Sequence, residues 1–303
     1  MVAVSLSARA RWLVIILILV LDGLGLAHYG MRLTPAGLAS GAGALVVFAA
    51  IAAIYSYWRP DERIVDFAHC AAQLIALFAA TGAFSYVVTA AGLPLANEAI
   101  AAADRALGFD WLSWFGWVEQ HPALRLVLQL VYPSAIAQMV MIACYLSLGG
   151  QPERSRELVW TIMLSLLVIV PLSGLLPVES AWIYHDVGAF FDAASVADFD
   201  RLRSGQLHDV DLRQLQGIIS FPSFHTSLGV LFTYVVRERR LILLPVALLN
   251  VVMIVSVLTE GGHFLVDVID GAAVAAAAIW ATAHIEAMLH HRHPTAAAAS
   301  AAE

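Results

Sequence analysis

Two short stretches of the sequence combine histidine with groups that bind anions. The first, residues 221–227, reads Phe-Pro-Ser-Phe-His-Thr-Ser. Proline fits the first turn of a helix, so the stretch predicts a helix start whose free N–H groups, with the Ser223 hydroxyl, can hold an anion. His225 lies in the same turn and can give a proton to an oxygen that leaves the anion. A histidine at a membrane edge with no chemical role explains His225 alone equally well.

The second stretch, residues 259–267, reads Thr-Glu-Gly-Gly-His-Phe-Leu-Val-Asp. His263 and Asp267 are four residues apart, a spacing that brings two side chains together on a helix. A carboxylate so placed fixes the imidazole tautomer and leaves the other ring nitrogen free to attack. The alternative is a structural His–Asp hydrogen bond between helices.

The elements that carry these stretches are apolar. Hydrophobic residues make up 61% of the chain and charged residues 13%, against about 45–50% and 25% in soluble domains. The apolar residues come in blocks long enough to cross a bilayer. The sequence therefore predicts an all-α integral membrane protein. The net charge of −7 and the absence of a continuous basic patch exclude a nucleic-acid partner.

The apolar blocks predict a bundle of about eight transmembrane helices, near residues 12–28, 36–58, 64–93, 123–148, 158–177, 218–236, 241–259 and 263–289. If all eight span, most arginines share one side, and the positive-inside rule assigns that side to the cytoplasm. Both histidine stretches then face the exoplasm. Alternatively, the first block is a cleaved signal peptide, which leaves the rest of the topology unchanged.

Two long segments, residues 94–122 and 178–217, join spans on the predicted exoplasmic side. The first contains Trp111, Trp114 and Trp117, which predict an interfacial helix with its aromatic rings at headgroup depth. A simple anchoring belt is the plainer interpretation of these three tryptophans.

Together, the Pro-Ser-x-His and His-x-x-x-Asp motifs resemble those of the type 2 phosphatidic acid phosphatase superfamily. The fuller patterns Phe-Pro-Ser-Phe-His and Thr-x-Gly-x-His-Phe-x-x-Asp look closest to the branch that includes the inositol phosphorylceramide synthases. The likeness covers roughly residues 94–289.

This resemblance implies a phosphoric ester hydrolase or phosphotransferase that acts on a phosphorylated membrane lipid. By it, His263 forms a phosphohistidine, Asp267 orients His263, and His225 protonates the leaving alcohol. Ser223 and nearby backbone N–H groups hold phosphate oxygens. No metal or other cofactor is required. The expected location is the inner (plasma) membrane, with the active site facing the periplasm or exoplasm.

The resemblance also implies a domain organisation. Residues 64–289 form a six-helix catalytic core, and residues 1–63 add two N-terminal transmembrane helices. Residues 290–303 are expected to form a disordered cytoplasmic tail.

The sequence departs from the superfamily pattern in its cations. It contains no lysine, and Val257 stands where the third motif normally carries arginine. Because phosphoryl transfer needs positive charge on the phosphate oxygens, another cation must replace them. Arg203 is the first choice, and Arg201 and Arg213 are further candidates. A solvated loop in which these arginines pair with nearby aspartates is the alternative.

Three functional hypotheses remain open at this point. The first is an enzyme that passes phosphate either to water, as a phosphatase, or to an alcohol, as a headgroup transferase. The second is a transporter or channel lined by buried His, Asp and Gln residues, although no inverted repeat is evident. The third is a catalytically inactive lipid-binding scaffold, which the missing lysine and arginine favour.

Overall fold

The computed structural model describes residues 2–187, 193–215 and 217–291. Within this part the chain is almost entirely helical, apart from strands β1 (Arg32–Leu33) and β2 (Asp209–Val210). The helices are α1 (Val2–His28), α2 (Pro35–Tyr57), α3 (Glu62–Ala90), α4 (Asn97–Ala106), α5 (Trp111–Glu119), α6 (Pro122–Val131), α7 (Ser134–Leu148), α8 (Pro152–Leu175), α9 (Ala181–Tyr184), α10 (Ala193–Arg203), α11 (Phe224–Val235), α12 (Arg240–Glu260) and α13 (Leu265–His291). Of the predicted tail, residues 292–303 lie outside the described residues, whereas His290 and His291 end α13.

Six single helices in the described ranges are long and apolar enough to cross a membrane: α1, α2, α3, α8, α12 and α13. Each contains a segment of at least 21 residues that meets the length of about 20 needed to span. The prediction of an all-α, multi-pass membrane protein is therefore confirmed.

Two of the eight predicted spans differ from single long helices. The span predicted at 123–148 is broken into α6 and α7, which meet at an angle of 46°. Pro133 lies at this break, where it can supply no N–H and its ring clashes with the preceding turn. The span predicted at 218–236 contains only α11, whose 12 residues rise about 18 Å. Helix α11 is short because residues 217–222 are not helical and the helix begins only after its N-cap, Ser223.

The core of the bundle forms where α3, α7, α8 and α11 pack together. Leu77, Leu146, Ile162 and Phe232, one from each of these helices, are completely buried there. Helix α1 adds Ile15 to the same core. Helix α2 packs on α3 from outside, with most of its surface exposed.

One end of the bundle is held by charged side chains. Glu157 of α8 accepts hydrogen bonds from Arg154 at 2.6 Å and from Arg237, just beyond α11, at 2.8 Å. Arg154 also pairs with Glu238. This end carries arginines between successive helices, and the positive-inside rule predicts that it is cytoplasmic. The N-termini of α11 and α13 lie at the opposite end.

A parallel pair of strands lies at that opposite end. Strand β1 follows α1, and β2 lies between α10 and α11. The backbone N–H of Arg32 donates to His208 O at 2.8 Å, and that of Thr34 donates to Val210 O at 2.9 Å. The Arg32 and Asp209 side chains add an exposed ion pair. The pairing attaches the α1–α2 hairpin to the segment that leads into α11.

Candidate active site

The start of α11 is built by Ser223. Its hydroxyl oxygen accepts a hydrogen bond from Thr226 N at 3.3 Å, which satisfies one of the free N–H groups of the first turn. The Thr226 hydroxyl also donates to it, at 3.1 Å. Ser223 is fully buried and does not line the cavity described below.

The two histidine stretches are joined at their backbones. Ser223 N donates to Asp267 O at 3.0 Å, and the Ser227 hydroxyl donates to Gly271 O at 2.6 Å. A Cβ atom on Gly271 would lie 2.3 Å from Ser223 O, so this crossing of α11 and α13 requires glycine. The N-termini of the two helices are thereby fixed side by side.

His263 lies in the turn before α13, and its Nδ1 is 3.3 Å from Asp267 Oδ2. The same carboxylate oxygen accepts the backbone N–H of Phe264 at 2.9 Å, which orients it. His263 is 4% exposed and Asp267 is fully buried. Because Nδ1 faces the carboxylate, Nε2 is the ring nitrogen left for chemistry.

His225 and His263 line one cavity of about 930 Å³. The ring of Tyr132, at the α6–α7 break, stacks on His225 with centroids 4.5 Å apart and an interplanar angle of 19°. Tyr132, Glu179 and Ser180 add polar groups to the lining. The remainder of the lining is mostly apolar and continues between the helices, so the cavity has a polar end and a long hydrocarbon-like end.

Asp104 of α4 anchors the first turn of α13, and sequence reasoning did not find it. Its Oδ2 and Oδ1 accept the backbone N–H groups of Leu265 and Val266, both at 2.9 Å. A carboxylate at this position satisfies two free donors and complements the helix dipole. Burial raises the pKa of Asp104, and these two N–H donors act in the opposite direction. No local pattern signals a contact across 161 residues.

Two tryptophans hold the turn that carries His263. Trp111 Nε1 donates to Leu258 O at 3.0 Å and to His263 O at 3.1 Å. Trp182 Nε1 donates to Thr259 O at 2.8 Å. Gly262, at φ 59°, lies so close to the Trp182 ring that a Cβ atom would be 2.6 Å from it. These contacts fix the backbone on both sides of the imidazole.

The predicted interfacial role therefore does not hold for Trp111, which is 2% exposed and packs inside the protein. It fits Trp117, which is 46% exposed on the same helix. The difference arises because the two faces of α5 meet different surroundings, with Trp111 and Phe115 on the buried face and Trp117 on the exposed one.

His185 packs against Trp111, the tryptophan that holds the His263 turn. Its ring stacks on Trp111 with centroids 5.2 Å apart and planes within 4°. Burial lowers the pKa of His185, while the carboxylates of Asp110 and Asp104 act in the opposite direction.

The three candidate arginines occupy different surroundings. Arg213 lines the cavity, and it pairs with Asp211 at 2.6 Å. The hydrogen bonds from Arg213 hold the pKa of the Asp211 carboxyl well below its usual range. Arg201 is exposed and faces Asp198 at 3.5 Å, outside the cavity. These two contacts are the ion pairs expected of a solvated loop.

Arg203 differs from the other two. Its guanidinium lies over the Phe199 ring, 5.4 Å from the centroid. Its Nη1 is buried and has no hydrogen-bond partner among the residues that the structure describes. Arg203 does not line the cavity that contains the histidines.

The helical membrane bundle thus brings two histidines, one of them paired with a buried carboxylate, to one cavity. The family model described as the PAP2 superfamily matches residues 98–281, more than half of the chain, and includes both histidine motifs. The chain therefore belongs to the PAP2 superfamily, whose members are generally phosphatases or phosphotransferases. No curated protein and no solved structure matches it.

The superfamily predicted from the two motifs is thus confirmed. The match begins within α4 and does not test whether the catalytic core starts at residue 64. The inositol phosphorylceramide synthase-like branch stays a prediction, as do the roles of the individual site residues.

Proposed function

We propose that this protein removes the phosphate group of a membrane lipid, or transfers its phosphorylated headgroup, at the exoplasmic face, through a phosphohistidine intermediate. The observation that carries the proposal is the His263–Asp267 pair, which shares with His225 a cavity that continues into an apolar space. A polar end with two imidazoles suits a phosphate, and the apolar remainder suits its hydrocarbon chain.

In the first step, His263 Nε2 attacks phosphorus and the bond from phosphorus to the lipid oxygen breaks. His225, in its protonated form, gives its proton to that oxygen, so the lipid leaves as an alcohol. Asp267 stabilises the positive charge that develops on the His263 ring and holds its tautomer through Nδ1.

In the second step, neutral His225 takes a proton from the acceptor as its oxygen attacks phosphorus. The P–N bond breaks, and His263 is free again. With water as acceptor the product is inorganic phosphate. With inositol, glycerol or a ceramide as acceptor the product is a new phosphoester, which is the outcome expected for the inositol phosphorylceramide synthase-like branch.

The positive charge that this chemistry needs is assigned to arginine, since the chain has no lysine. Arg213 is supported by its place in the cavity lining, and Arg203 by its unpaired, buried Nη1. A guanidinium grips phosphate oxygens through two parallel hydrogen bonds. Alanine variants of both should lose turnover, and Arg201→Ala, which removes an exposed guanidinium that faces Asp198, is the matched control. Undiminished turnover in Arg203→Ala or Arg213→Ala removes that residue from the site.

The exoplasmic orientation is supported by the arginines at the other end of the bundle. A cysteine-free variant (Cys70→Ala, Cys144→Ala) with a single cysteine at the exposed Gln206 tests it. A membrane-impermeant thiol reagent should label Gln206→Cys in intact cells. Labelling that needs permeabilised cells would place the site in the cytoplasm.

The mechanism is tested with purified protein, a panel of lipid phosphates and the His263→Ala variant. Wild type should turn over at least one lipid, be inhibited by vanadate, and yield an acid-labile, alkali-stable radiolabel from a ³²P-labelled substrate. His263→Ala should lose all three properties. His284→Ala, which removes an exposed histidine from α13, the helix that follows His263, is the matched control.

The outcomes separate the alternatives. Wild-type turnover that persists in His263→Ala would defeat the phosphohistidine mechanism. A wild type that binds lipid phosphates but releases no product under any acceptor would indicate the inactive scaffold. Free phosphate identifies hydrolysis, whereas a product that appears only when an alcohol is added identifies transfer.

A further inference from the structure

We propose that α2, which lies outside the part of the chain matched to the superfamily, forms the wall that selects the hydrocarbon chain of the substrate. This inference rests on the proposed function, because it assigns the apolar end of the same cavity to the lipid tail. It makes the N-terminal hairpin a determinant of specificity as well as a membrane anchor.

One face of α2 lines the cavity. Its lining residues are Gly37, Ser40, Gly41, Ala44 and Phe48, which recur at helical spacing and therefore share a face. The first four are small, and the last is large. Small side chains on this face leave open the space between α2 and the body of the bundle.

The dimensions of this face match a lipid tail. Phe48 is eleven positions after Gly37, which at a rise of 1.5 Å per residue is roughly 17 Å along the helix. The hydrocarbon core of a bilayer is about 30 Å thick, so this depth is about one leaflet. Phe48 packs edge-on against Phe67 of α3, with ring centroids 6.1 Å apart, at the deep end of the cavity. These rings mark where a chain in the cavity would stop.

The cavity is open toward the surrounding lipid. Ile136 and Val140 of α7 line it, yet they are 72% and 54% exposed. Because these apolar side chains lie on a membrane-embedded helix, they face hydrocarbon. A lipid can therefore place its tail in the cavity from within its own leaflet, without first passing through water.

The N-terminal end of α2 packs against the segment that carries Arg213. A Cβ atom on Gly37 would lie 2.8 Å from Leu212 N and 2.9 Å from Asp211 Oδ1. Arg213, the next residue along that segment, lines the cavity together with both histidines. The tail wall and the cation assigned to the phosphate are thus neighbours.

Selection by this wall must act through fit. A tail that moves from the bilayer into an apolar cavity exchanges one hydrocarbon environment for another and gains little hydrophobic free energy. An added side chain that overlaps the tail, by contrast, produces overpacking, which is destabilising. Narrowing the cavity should therefore penalise long-chain substrates and spare a substrate with no chain.

Gly41→Leu is the variant that tests this. The Cβ position of Gly41 has Leu212 Cδ1 as its nearest neighbour at 3.9 Å, so the helix accepts a side chain there and the new atoms enter the cavity. Gly43→Leu is the matched control, because Gly43 is exposed, does not line the cavity and has no atom within 4 Å of its Cβ position.

Each protein is assayed on a long-chain phosphatidic acid in detergent micelles and on p-nitrophenyl phosphate, which has no tail. Gly41→Leu should lower kcat/KM on the lipid about tenfold, equivalent to about 1.4 kcal/mol, and leave p-nitrophenyl phosphate unchanged. Gly43→Leu should match wild type on both substrates. Equal loss on both substrates in Gly41→Leu, or no loss on either, would overturn the inference.

A second measurement does not depend on turnover. A phosphatidic acid with a photoreactive diazirine at the end of one chain is irradiated with His263→Ala protein, and the crosslinked peptides are sequenced. Crosslinks to residues 41–48 of α2, suppressed by Gly41→Leu in the same background, support the wall. Crosslinks that avoid α2 would overturn it. A wild type without turnover that still crosslinks to α2 would sink the proposed mechanism while leaving the tail site standing.

Discussion

Asp104→Ala is the substitution expected to show most clearly how the site is positioned. Asp104 is 3% exposed and accepts the backbone N–H groups of Leu265 and Val266 at 2.9 Å. Alanine leaves both donors without their acceptor at the N-terminus of α13. Loss of a helix cap costs about 0.5–2 kcal/mol, and a hydrogen bond to a charged group contributes about 1.5–3 kcal/mol. We expect Asp104→Ala to lower the free energy of unfolding by about 2–4 kcal/mol.

The same change should reduce turnover by more than the loss of stability explains. His263 and Asp267 flank the turn that Asp104 holds, and a shift of about 1 Å in a catalytic group can cost about 10²-fold in rate. Asp104→Asn keeps one acceptor oxygen, so it should fall between alanine and wild type in both stability and turnover.

The assay pairs thermal unfolding, followed by circular dichroism in detergent, with the rate of radiolabel capture well below the melting temperature. Glu98→Ala is the matched control, since Glu98 is an exposed carboxylate on the same helix. An Asp104→Ala protein that melts and turns over like Glu98→Ala would refute the anchoring role.

Three further substitutions test the site from other directions. Tyr132→Ala removes the ring stacked on His225 and should lower kcat/KM about two- to tenfold in steady-state assays, which corresponds to the free energy of one aromatic pair. Tyr132→Phe keeps the stack, so an equal loss in that variant would contradict the prediction. Asp267→Asn keeps the shape but removes the charge beside His263, so radiolabel capture should slow by about 10²-fold or more, and an unchanged rate would argue against the pair. Burial lowers the pKa of His185 in the folded protein, so below about pH 6.5 proton binding favours the unfolded chain. The melting temperature of wild type should therefore fall between about pH 7 and pH 5, and that of His185→Phe should fall less. Parallel curves for the two proteins would contradict this prediction.

The sequence predicted those features that depend on neighbouring residues. The apolar block at 36–58 became α2, from Pro35 to Tyr57, because bilayer thickness sets the length of such a helix. Helix α11 begins directly after Ser223, close to where the Pro-Ser pattern predicts a helix start, although Pro222 precedes the N-cap and does not lie in the first turn. The four-residue spacing of His263 and Asp267 predicted their contact, although His263 lies in the turn before α13 and not on the helix.

The features that escaped prediction depend on distant partners. Asp104 and Trp111 reach the His263 turn across more than 140 residues, and no local period marks such a contact. The break between α6 and α7 carries a visible signal in Pro133, but hydropathy averaged over a window conceals it. The choice among Arg201, Arg203 and Arg213 depended on which side chain reaches the cavity, which spacing alone does not decide.

The short parallel pairing of β1 with β2 bears on the order in which the protein is assembled. Its two strands are separated by 177 residues, so β1 cannot pair with β2 until more than two thirds of the chain has been synthesised. The α1–α2 hairpin can pack on α3 early, but strand β1 has no strand to pair with until residue 210 has been synthesised. The cavity wall that we propose for the lipid tail is therefore completed only after helices α1 to α10 have been synthesised.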